Sequence, residues 1–184
     1  RMIFRIARKE LELLFYSPMA WLLLLCFLVQ MGIAFCGFYS HLLLNVEQYG
    51  RSTGASNLVF LSQRGMWYTI ISMLNLYIPL LTMGVVGREF SSGSIKLLYS
   101  SPVKNSQIIF GKYLALVVYA LVLIGTSLIY VVYAGCTIEG FEWGWILTGW
   151  LGVFLLACTY MAVGLFISSL TSYQLVAALC TFLV

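Results

Sequence analysis

The chain has 184 residues, of which 62% are hydrophobic and 9% charged, with a formal net charge of +4 and no aspartate. A soluble domain carries about a quarter charged residues, and a chain this apolar cannot hide its surface in one water-soluble core, so its solvent is a bilayer. Most basic residues stand at the ends of apolar runs, a pattern that gives no reason to expect a nucleic-acid partner.

Residues 1–16 predict a helix lying along the membrane surface. Phe4, Ala7, Leu11, Leu14 and Phe15 recur at helical spacing, with Arg5, Arg8, Lys9 and Glu12 on the other side. Arg5, Arg8 and Lys9 are placed to meet lipid headgroups while the apolar face sinks into the interface. Ser17-Pro18 breaks this helix and restarts it, with Ser as N-cap and Pro at the first position. A run this long after a basic amphipathic stretch is not a signal peptide.

The first span is expected over 19–40, with Gln30 as its strongly polar side chain, facing another helix. Residues 42–65 read as a loop without catalytic or metal-site character, and His41 as a polar interfacial residue. The second span, 66–86, contains Pro79, which cannot donate to the carbonyl of Asn75 and predicts a kink. Asn75, Tyr77 and Thr82 form a polar strip that either faces a pathway or makes interhelical hydrogen bonds. Gln30, Asn75 and Thr82 are thus the candidate pathway-lining residues.

A polar interruption follows at 88–112 and carries Arg88, Lys96, Lys104 and Lys112. Gly93 and Pro102 bracket a segment in which Ile95, Leu98 and Tyr99 fall on one helical face, a suitable surface for a partner's groove. The third span is expected over 113–134, with Lys112 at its start, able to snorkel to the interface. Gly111 and Ala115 form a pair of small residues that permits close helix approach. The fourth span is expected over 146–167, behind Trp143 and Trp145 at the interface. Residues 175–184 begin a fifth span that stops about half-way across the core, which reads as truncation.

Arg1, Arg5, Arg8 and Lys9, with the four basic residues of 88–112, oppose only Arg51 and Arg64 on the other side. This asymmetry places the amino terminus and the 88–112 stretch in the cytoplasm. The five cysteines are widely spaced and mostly within apolar runs, as small packing residues are. Phosphate-loop, metalloprotease and serine-hydrolase motifs are all missing, and no MxxM or Met–His cluster suggests a metal site. Apart from Lys112 at an edge, the spans hold no ionisable group of the kind that ion-driven pumps and membrane enzymes use. Energy for transport would therefore come from another subunit.

The stretch "REFSSGSIKLLYSSPVKNSQIIFGKYLA" resembles the cytoplasmic segment of type-2 ABC transporter permeases. There an acidic residue precedes Gly-Ser/Thr, an apolar-rich stretch, Ser/Thr-Pro-Val and Gly-Lys. "ARKELELLFYSPMAW" looks like the entry to the first span in the branch that includes gliding-motility permeases. The resemblance implies an all-α, polytopic bundle of six spans with an amino-terminal elbow helix, ending here within the fifth. It implies a non-enzymatic subunit that pairs with a second permease copy or paralogue and with cytoplasmic ATPases, which bind the ATP and Mg. The coupling helix would fall on Ser94, Ile95, Lys96, Leu97, Leu98 and Tyr99, with Glu89 just before it. The expected role is a permease of an ATP-driven exporter in a bacterial inner membrane. The alternative is a non-transporting anchor in a motility or secretion apparatus.

Overall fold

A computed structural model describes residues 2–44, 60, 65–92, 105–137, 141–170 and 180–181. Among these residues every regular element is helical, so the fold is an all-α bundle, consistent with a polytopic membrane protein. Helix α1 spans Met2–Tyr16, α2 Pro18–Leu44 and α3 Met66–Ser92. Helix α4 spans Asn105–Gly125, α5 Leu128–Thr137 and α6 Trp143–Leu170.

Among the described residues three stretches are long and apolar enough to cross a membrane: Pro18–His41, Ser106–Thr137 and Trp143–Leu170. Their outward faces are apolar. Leu22, Leu25, Val29 and Ile33 lie exposed along one side of α2, and Leu151, Leu155 and Phe166 along α6. Water would penalise such surfaces at about 25 cal/mol per Å²; acyl chains do not.

Helices in lipid gain little from apolar contact with each other, so polar stitches and small residues decide where they meet. Tyrosines supply many of the stitches. Tyr119 Oη donates to the Ala20 carbonyl at 2.8 Å, and Tyr130 Oη to that of Leu28 at 3.1 Å, joining α4 and α5 to α2. Tyr113 Oη reaches the Cys158 carbonyl of α6 at 3.2 Å. Between α3 and α6 the device is a close approach. A Cβ on Gly164 would lie 2.9 Å from Thr82 Oγ1, and Ser168 Oγ donates to the Thr82 carbonyl at 3.4 Å.

The second of these stretches, Ser106–Thr137, is not one helix. It breaks at Thr126–Ser127, inside the span expected over 113–134. Thr126 Oγ1 bonds the Leu123 carbonyl at 2.6 Å, and Ser127 Oγ bonds that of Ile124 at 2.6 Å. The Ile124 carbonyl also accepts from Ser127 N at 3.0 Å and from Trp150 Nε1 at 3.3 Å. Local hydroxyls compete with the helical ladder, the preceding Gly125 is a poor helix former, and an indole from α6 rewards the opened carbonyl.

Candidate functional site

At the end of the bundle where α1 meets α4, the contact is built on Gly111. A Cβ there would lie 2.7 Å from Ile6 Cγ2 and 3.0 Å from Ile6 Cβ, so α1 rests directly on the α4 backbone. The next residue, Lys112, is 4% exposed, and its Nζ donates to Glu10 Oε1 at 3.1 Å. The Glu10 side chain is 19% exposed. This corrects the snorkelling expectation for Lys112. Burial of the ammonium is tolerated because a carboxylate from α1 meets it.

The same packing corrects the reading of α1. Ala7 and Leu14 are buried in the protein, and Leu11 and Phe15 pack against the core. Much of the apolar face expected to enter lipid therefore seats the helix on its neighbours, while Phe4 is 70% exposed. Arg5, Arg8 and Lys9 are exposed on the opposite side. Arg8 Nε donates to Glu12 Oε1 at 3.0 Å, an exposed i,i+4 pair of small energetic weight. Glu10 is the residue that sequence reasoning missed. Its signal is a lone charge in the Ile3–Ala7–Glu10–Leu14 row, which helical spacing places on one side.

The junction from α1 to α2 is equally tight. Ser17 N donates to the Leu14 carbonyl at 3.1 Å and Ala20 N to the Ser17 carbonyl at 3.2 Å. Trp21 Nε1 donates to the Phe15 carbonyl at 2.7 Å, occupying one of the carbonyls that a helix end leaves over. The Phe15 ring lies between those of Trp21 and Tyr119, at centroid separations of 6.0 and 5.9 Å.

The three candidate pathway residues separate. Gln30 Oε1 accepts from Tyr77 Oη at 2.5 Å, an α2–α3 stitch. Thr82 is 1% exposed, and its Oγ1 bonds the Ile78 carbonyl at 3.0 Å. Asn75 alone of the three is exposed, beside a recess lined by Ile78, Pro79, Tyr160 and Thr181. Tyr68 and Ser72 are also exposed and lie seven and three residues before it, on the same side of α3.

The predicted coupling residues Ser94, Ile95, Lys96, Leu97, Leu98 and Tyr99 lie outside the described residues. Glu89 belongs to α3, which continues beyond the span expected to end at residue 86; its side chain is outside the description. Of the fifth span expected over 175–184, only 180–181 are described.

A family model described as "ABC-2 family transporter protein" matches residues 4–184. The chain belongs to the ABC-2 transporter family. No curated protein matches it. Family membership and the long apolar helices make this ABC-2 chain a multi-pass membrane protein and a permease component of an ABC transporter. An ABC-2 permease is the transmembrane part of such a system, not its catalyst.

Proposed function

We propose that this ABC-2 permease couples ATP hydrolysis by a separate cytoplasmic ATPase to export of a substrate across a bacterial inner membrane. The observation that carries the reading is the family match over residues 4–184. Residues 93–104, which join α3 to α4, form the docking segment in this proposal. Ile95, Leu98 and Tyr99 enter the ATPase groove, with Ser94, Lys96 and Leu97 beside them and Glu89 just before. ATP and Mg²⁺ are held by the ATPase, and a second permease copy or paralogue completes the pore. The distribution of Lys and Arg supports a cytoplasmic amino terminus. Arg5, Arg8 and Lys9 then face headgroups and cytosol from the exposed side of α1.

The route for substrate passes the side of α3 that carries Tyr68, Ser72 and Asn75. Polar groups are costly against lipid, and although Ser72 Oγ donates to the Thr69 carbonyl at 2.8 Å, three polar side chains on one side of a helix support a polar route or a protein neighbour there. Gln30 and Thr82 are bundle-holding residues in this proposal. The gliding-motility branch rests on the look of the amino-terminal sequence alone, and nothing in the fold favours a non-transporting anchor over a permease.

Affinity purification of the tagged chain from its native membrane tests the assembly. The expected result is co-purification of an ATPase carrying a phosphate-binding GxxxxGK[ST] loop. Recovery of the intact chain without such a protein, under conditions that preserve membrane complexes, would count against the proposal.

A further inference from the structure

We infer that Glu10 and Lys112 are positioning residues that fasten α1 to the head of α4, so that the two helices move as one lever. This rests on the coupling role proposed above for residues 93–104. Helix α4 starts at Asn105, immediately after that segment, and Lys112 lies two turns into it. A displacement of the segment therefore reaches Lys112 along a helix with little slack.

Two features pass it on to α1. Lys112 Nζ and Glu10 Oε1 stand 3.1 Å apart with the lysine buried, so parting them takes a carboxylate from an ammonium held away from water. Gly111 removes the side chain that would otherwise separate the helices, and Ile6 lies on the α4 backbone. From α1 the chain turns through Ser17 alone into α2, and Tyr119 ties α4 back to Ala20 at 2.8 Å. The head of α4, all of α1 and the first turn of α2 form one closed loop of contacts. The ion pair gives the elbow helix a mechanical task in addition to its place at the membrane surface.

The test measures distances by electron paramagnetic resonance on the complex with its ATPase, nucleotide-free and ATP-bound, with native cysteines replaced. One label pair, at exposed Arg8 and Ile109, reports α1 against α4; another, at Arg8 and Leu155, reports α1 against α6. The Arg8–Ile109 distance is expected to stay the same in both states while Arg8–Leu155 shifts. Lys112→Met is expected to abolish that shift with ATP hydrolysis retained, and Lys112→Arg to preserve it. Should Lys112→Met fail to fold, the exchanged pair Glu10→Lys with Lys112→Glu is expected to behave as the wild type. A nucleotide-dependent Arg8–Ile109 distance, no Arg8–Leu155 shift in the wild type, or a full shift in Lys112→Met would each overturn the inference. Failure to find any ATPase would instead remove the coupling role. Fastening would still be read in the isolated chain, as a single Arg8–Ile109 distance that broadens in Lys112→Met; no broadening would overturn it.

Discussion

Gly111→Leu is expected to destabilise the chain by roughly 3 kcal/mol, through loss of the seat of α1. Ile6 Cβ already stands 3.0 Å from where a Cβ at position 111 would be, and isoleucine branches at that carbon, so its side chain has little room to turn aside. The Ala7 backbone nitrogen follows at 3.5 Å, which leaves separation of the helices as the way to relieve the clash. Separation then pulls Glu10 from Lys112 and leaves the ammonium buried without that carboxylate. A thermal-unfolding scan in detergent should show a clear fall in midpoint. Adding Ile6→Ala should recover most of it, because the space lost at 111 is returned at 6. A Gly111→Leu protein as stable as the wild type would mean that α1 is not seated there.

Lys96→Glu combined with Leu98→Ala is expected to uncouple the permease, with transport falling by roughly tenfold or more. In the proposed docking mode Leu98 is an apolar anchor in the groove of the ATPase, and truncating a central anchor costs about 2 kcal/mol or more. Reversing the charge at Lys96 adds an electrostatic mismatch across the same contact. Both residues stand in the polar stretch between two apolar runs of the sequence, so the protein should still fold and insert. ATP hydrolysis by the partner, measured on the purified complex, should lose its dependence on the permease. Unchanged partner binding and unchanged transport in the double variant would argue against residues 94–99 as the coupling element.

The parts of this molecule that were legible in its sequence are those set by composition and local chemistry. Apolar runs announced the helices, Ser17-Pro18 marked the corner between α1 and α2, and the residues from Glu89 to Lys112 carried the family pattern that the match over 4–184 supports. What stayed hidden depends on partners distant in the chain. Lys112 could be placed at a helix start, but its burial depends on Glu10, 102 residues away. The break at Thr126–Ser127 lies in an apolar run and depends on Trp150, 26 residues beyond Ile124. The apolar side of α1 was ambiguous for a simpler reason: lipid and protein interior are equally apolar, and periodicity cannot tell them apart. Polar residues within spans carry the same ambiguity. Gln30 accepts from Tyr77 of a neighbouring helix, the Thr82 hydroxyl bonds the Ile78 carbonyl of its own helix, and Asn75 is exposed.

A permease that moves its substrate with energy from ATP hydrolysed by another subunit stops working when that hydrolysis stops. The most direct test is to disable hydrolysis in the co-purified ATPase, leaving nucleotide binding and complex assembly intact, and to measure the transport-dependent phenotype of the cells. The phenotype is expected to be lost although the complex still forms. A phenotype that persists with a hydrolysis-dead partner would contradict it and would make the chain a membrane anchor.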